Sequence, residues 1–158
     1  MQQNTNAAVD EMPDGESLQQ ILTTTVGNQT FGIPVLCAQD ILRPRPIARV
    51  QQAEAYVSGL INLRGRIVTV IDLRHWLGFE SADANEQMHV VMEFEGDLYS
   101  FLVDSVGDVV KVPTAAVEAV PPNLPAQWRM VIKNVLRHDG ELILIIEGDA
   151  LLTELSNN

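Results

Sequence analysis

Few residues in this sequence have a type and spacing that could do chemistry. The histidines are His75, His89 and His138, and none has the close acid–histidine spacing of a zinc-binding helix. His75 is expected on a short helix after Asp72, and His89 and His138 near strand ends as surface residues. Cys37 is the single cysteine, which excludes an internal disulfide or a multi-thiolate metal site. Without a local nucleophile signature it reads as a small, buried or half-buried side chain. Glu93 and Glu95 alternate on one strand face and read as solvated acids rather than an acid–base pair. The stretch from Gly59 to Gly65 lacks the lysine and the helix of a phosphate loop. No catalytic residue, metal ligand or cofactor site emerges, and a non-enzymatic protein is expected. What stands out instead is INLRGRIVTVIDL (residues 61–73), which sets Arg64 and Arg66 around a glycine with no nucleophile nearby to use them.

The elements that must position these residues are short strands. From Leu18 onward, apolar runs rich in β-branched residues recur between turn signals such as Gly27-Asn28, Gly96-Asp97 and Asp139-Gly140, the pattern of an all-β domain built from hairpins. Arg43-Pro44-Arg45-Pro46 is expected to stiffen a loop and end the sheet, rather than to serve as a polyproline ligand. Residues 1–17 are polar and acidic with little to bury, and are expected to form a disordered tail; residues 18–155 are expected to form one domain.

An internal repeat divides that domain. GRIVTVIDLRHWL (residues 65–77) aligns without a gap on GELILIIEGDALL (residues 140–152), and TFGIPVLCAQDIL (residues 30–42) on LYSFLVDSVGDVV (residues 98–110). Each half thus holds an aromatic-led strand and a Gly-x-apolar strand that runs into a short Leu-rich helical turn. Two similar small barrels are implied. Neither is large enough to be very stable alone, so they are expected to share a continuous core, with a groove where they meet.

At 158 residues and 46% hydrophobic content the chain can build a packed core. Its formal net charge of −11 argues against a nucleic-acid partner, because that binding needs basic surface to release counterions from phosphate. The charge is uneven: Arg43, Arg45, Arg49, Arg64, Arg66 and Arg74 are six of the ten basic residues, whereas residues 75–110 carry eight acids and no Lys or Arg. Such asymmetry would orient the protein against a partner of mixed charge. The first residues lack a secretory pattern and no apolar run approaches a membrane span, so a soluble, cytoplasmic protein without membrane insertion is expected.

The segment GLINLRGRIVTVIDLRHWLG (residues 59–78) resembles the stretch that characterises CheW-like chemotaxis coupling proteins, G-x-x-N-L-R-G-x-apolar-x-P-apolar-apolar-D-L. The resemblance is supported by FGIPVLCAQDIL, FLVDSVGDVV and GELILIIEGDALL, and covers most of residues 18–152. It implies two intertwined five-stranded SH3-like β-barrels with short helical turns. It also implies an adapter that bridges the cytoplasmic tip of a chemoreceptor and the regulatory domain of a CheA-type histidine kinase, recruited to membrane-associated receptor arrays. Carried over residue by residue, it implies that Arg64 and Asp40 organise a receptor-facing groove through a charge-assisted hydrogen bond. Val35, Ala38, Met88 and Val106 would form the apolar wall that receives a receptor helix. A kinase-facing surface is expected on exposed apolar positions around Gly59, Leu60 and Ile61. Asp40 stands where glutamate is usual, Thr69 replaces a frequent proline, Pro34 suggests an edge or bulge, and Arg66 occupies a variable position with solvent exposure as its default.

Two other readings stand beside this one. The same fold could serve a pilus, surface-sensing or second-messenger pathway. A small-ligand-binding β-barrel domain would need convergent polar groups that the sequence does not display.

Overall fold

The computed structural model describes Val9–Glu11 and residues 17–156. In chain order the strands begin β1 (Val9–Glu11), β2 (Ser17–Val26), β3 (Gln29–Pro34), β4 (Asp40–Leu42), β5 (Val57–Leu63) and β6 (Arg66–Ile71). Helix α1 (Leu73–Leu77) precedes β7 (Met88–Phe94), β8 (Asp97–Val103), β9 (Ser105–Pro113) and β10 (Glu118–Ala119). Helix α2 (Ala126–Arg129) leads into β11 (Ile132–His138), β12 (Glu141–Ile146) and helix α3 (Gly148–Ser156). Three hairpins turn on two residues that both hold positive φ: Arg64-Gly65 (51° and 86°), Glu95-Gly96 (53° and 86°) and Asp139-Gly140 (51° and 78°). Turns of this hand match the right-handed twist of their strands, and glycine in the second place removes half of the backbone cost.

The chain forms two compact units. One comprises Thr25–Asn28 and Ala38–Val106, with a five-stranded sheet in the order β4-β7-β8-β6-β5. Alternation along each strand turns Leu42, Ile61, Val68, Val70, Val91 and Leu98 into one core. The other unit takes the described residues up to Thr24, Gln29–Cys37 and those from Gly107 onward. Its core includes Ile21, Val110, Leu136, Ile143 and Ile145, and Trp128 of α2 packs on Phe31 with ring centroids 5.5 Å apart.

The repeat is visible in the strand pairing. In the first unit β6 runs parallel to β8, with Thr69 opposite Tyr99 and Val70 opposite Ser100. In the second, β12 runs parallel to β3, with Leu144 opposite Phe31 and Ile145 opposite Gly32. These are the same pairs once the two halves are aligned. The bulge also repeats, since the ladder slips between Val57 and Gly59 against β6 and between Ile132 and Asn134 against β12.

Three expectations need correction. Only the first unit has five strands; the second unit's sheet has seven, β1-β2-β3-β12-β11-β10 with β9 also on β2. Strand β2 runs ten residues and has room for β1 at its start, Val9 opposite Gln19 and Glu11 opposite Ser17, while β10 adds a two-residue edge to β11. The stretch expected to be a disordered tail therefore contributes a strand at Val9–Glu11, and its residues 1–8 and 12–16 lie outside the described residues. His89, expected at the surface, is fully buried in β7, because both faces of that strand are covered.

Candidate functional site

The hairpin of β5 and β6 carries the site. Its strands pair from Val57 opposite Ile71 to Leu63 opposite Arg66, and Asn62 Oδ1 accepts the Gly65 N–H at 3.0 Å across the turn, which fixes the tip. From that tip Arg64 Nη2 donates to Asp40 Oδ2 at 2.5 Å. Asp40 opens β4, and its Oδ1 accepts the Ile41 N–H at 3.1 Å. The hydrogen bond from Arg64 holds the Asp40 carboxyl below its usual range, and the charges of Arg64 and Arg45 act in the same direction. The Arg64 side chain is 73% exposed and that of Asp40 29%, so the pair contributes little to folding and presents its remaining donors outward.

Beside the pair lies a cleft of about 150 Å³. Gln39, Asp40, Arg64 and Arg66 supply its polar lining, and the buried Leu63, Val91 and Leu98 its apolar surface. Arg66 Nη2 reaches the Gly96 carbonyl at 3.3 Å, Arg45 Nη1 the Asn62 carbonyl at 3.4 Å, and Gln39 Nε2 donates to Glu93 Oε1 at 3.0 Å. Three guanidiniums thus gather around one hairpin tip, and among the described residues only Arg64 of the three has a carboxylate partner. Arg66 and Gln39 belong to the cleft although the sequence did not single them out for it. The Arg-Gly-Arg spacing was the available signal for Arg66.

The other expected site residues fall in different settings. Ala38, Met88 and Val106 are half-buried in the same unit as Arg64, and Val35 is half-buried in the other unit. Gly59 and Ile61 are not exposed positions: Ile61 is a core residue of its unit. A Cβ at Gly59 would lie 2.2 Å from the Ala48 carbonyl oxygen, because Ala48 and Leu60 exchange backbone hydrogen bonds of 2.9 and 2.8 Å across that spot. The inward alternation that buries Ile61 leaves Leu60 half-buried on the opposite face.

A second polar cluster, not anticipated from the sequence, centres on Asp104. Arg74 Nε donates to its Oδ1 at 3.0 Å and Nη2 to its Oδ2 at 2.8 Å. Gln87 Nε2 donates to Oδ1 at 2.9 Å and the Gly27 N–H to Oδ2 at 2.8 Å. Burial pushes the Asp104 carboxyl up, but these hydrogen bonds and the Arg74 charge outweigh it and hold the group below its ordinary value. His89 forms a third, with Nδ1 2.7 Å from Ser100 Oγ and Nε2 unpartnered. Burial, helped by the charge of Arg45, lowers the His89 pKa to about 4, so the imidazole is neutral at neutral pH. Both residues of this pair are fully buried, which denies a substrate access. Burial pushes the half-buried Cys37 thiol up, as do the charges of Asp149 and Glu147, the opposite of nucleophile activation. Among the described residues no three His, Cys, Asp or Glu side chains are grouped to hold a metal, and no helix is long and apolar enough to cross a membrane.

Two small repeated β units, one of them carrying an ion pair at a hairpin tip, define a protein of the double-barrel β class. The family described as CheW-like domain matches residues 20–156, and the chain belongs to that family. A probable chemotaxis protein CheW of Rhizobium etli is 27% identical over 93% of this chain and 94% of its own length. The chemotaxis protein CheW of Bacillus subtilis is 25% identical over 88% of this chain and 90% of its own. The crystal structure of the scaffolding protein TtCheW from Thermoanaerobacter tengcongensis shares the fold, with a TM-score of 0.73 at 22% identity over 80% of this chain and 87% of that one. Family membership makes the chain a chemotaxis adapter in kind.

Proposed function

We propose that this chain is a non-enzymatic adapter that couples the cytoplasmic tip of a chemoreceptor to the regulatory domain of a CheA-type histidine kinase. It acts in the cytoplasm, recruited to a membrane-associated chemosensory array. The observation that carries the reading is the Arg64–Asp40 pair, set on a rigid hairpin tip with most of the guanidinium's donors free for a partner. Asp40 and Arg64 orient the receptor segment, and Ala38, Met88 and Val106 of the same unit supply apolar contact along a helix face. On the kinase side, Leu60 supplies the contact, while Gly59 shapes the backbone through its close approach to Ala48.

Calorimetric titration of the full chain against the isolated regulatory domain of a CheA-type kinase, and separately against a receptor cytoplasmic fragment, tests the proposal. Saturable binding to both without nucleotide or cofactor is the expected result. Failure to bind the receptor fragment, or to bind the kinase domain, by a protein with native circular dichroism overturns it.

A further inference from the structure

We infer that the cleft beside the Arg64–Asp40 pair is a subsite for one acidic side chain of the receptor-type partner, with Arg66 as the residue that selects it. This inference rests on the adapter reading above.

The residues lining the cleft carry two guanidiniums and one carboxylate. That carboxylate is engaged at both oxygens, by Arg64 and by the Ile41 N–H, and the Gln39 amide is engaged by Glu93. Arg66 differs. Its contact is to a neutral carbonyl, Gly96 O at 3.3 Å, and no described carboxylate lies within ion-pair distance of it. A guanidinium offers five N–H donors in a planar fork suited to a carboxylate, so Arg64 and Arg66 together leave most of theirs to solvent.

Geometry limits what can enter. A water claims about 30 Å³ of liquid volume, so about 150 Å³ suits one side chain and falls short of a cofactor pocket. The apolar surface of Leu63, Val91 and Leu98 suits the methylenes of a glutamate whose carboxylate stays at the polar rim. The two arginines are held apart by a turn with φ of 51° and 86°, so their spacing is set before a partner arrives and less ordering is required on binding. Glu95 and Asp97 flank Gly96, where Arg66 docks. Their charge opposes a second incoming acid, so the subsite selects a single carboxylate rather than an acidic run.

The test is a double-mutant cycle by calorimetry, with the full chain and a receptor cytoplasmic fragment at two salt concentrations. Arg66→Glu and Arg66→Lys are set against fragments in which each acid near the tip is changed in turn to its amide. The expected result is that Arg66→Glu weakens binding by roughly tenfold at low salt and less at high salt, with Arg66→Lys in between. One amide substitution should weaken binding to the wild type by roughly threefold or more, yet leave the binding of Arg66→Glu unweakened or partly restored, because there it removes a like-charge contact. If Arg66→Glu binds like the wild type while Arg64→Ala binds weakly, or if every amide substitution is additive with it, the subsite is overturned and the adapter reading stands. If the wild type itself fails to bind the fragment, the adapter reading falls and takes the subsite with it.

Discussion

Arg64 sits at φ 51°, a left-handed conformation that costs a residue with a Cβ about 1 kcal/mol or more. The exposed ion pair to Asp40 returns little of that, so the position gives up stability for the placement of a guanidinium. Arg64→Gly is expected to match or slightly exceed the wild type in thermal midpoint, whereas Arg64→Ala keeps the backbone cost and falls a few degrees at most. Both should weaken receptor-fragment binding; an unchanged affinity in calorimetry would remove the pair from the interface. His89 makes a different residue-scale prediction. Its folded pKa of about 4 lies below the ordinary 6.5, so the unfolded chain binds the extra proton and stability falls as pH drops from about 6.5 towards 4. The loss is at most about 3 kcal/mol, and urea titrations of His89→Leu should show a flatter pH dependence across that window. The Arg64–Asp40 pairing was legible through the motif. The burial of His89 was not, because a polar residue near a strand end reads as exposed until the neighbouring strands β4 and β8 are known to flank it.

At the scale of elements, Asp104 joins three segments distant in sequence: the turn at Gly27, helix α1 through Arg74, and the loop at Gln87. Arg74 and Asp104 are largely withdrawn from solvent, so removing one leaves the other charge poorly compensated. Asp104→Ala should cost about 3 kcal/mol in urea unfolding, and a loss under 1 kcal/mol would show that water replaces the carboxylate. In the native protein this contribution is present above the ordinary carboxylate pKa and is lost as pH falls through the depressed folded value. Strand existence, the hairpins and the two Leu-rich helices were readable from apolar alternation and turn residues. The Asp104 cluster was not, since nothing in the spacing of Gly27, Arg74, Gln87 and Asp104 brings them together before the fold does.

At the scale of the whole molecule, each unit is discontinuous in sequence. The unit holding Arg64 takes Thr25–Asn28 from upstream, and that turn supplies the Gly27 N–H to Asp104 and the Thr25 carbonyl to the Asp104 N–H at 2.8 Å. A fragment of residues 38–106 expressed alone is therefore expected to lack a cooperative thermal transition by circular dichroism, and a sharp transition would show the unit to be self-sufficient. By itself the sequence determined the all-β class, the two-fold repeat, the hairpin that carries Arg64 and its family, because periodicity, turn chemistry and a short motif are local properties of a chain. Only the tertiary structure decided that the second unit's sheet has seven strands, that Ile61 is core and not surface, that His89 is sealed inside, and that Arg66 lines a cleft. Each of these depends on which distant strand lies alongside, and pairing across tens of residues is settled by packing the whole rather than by any local pattern.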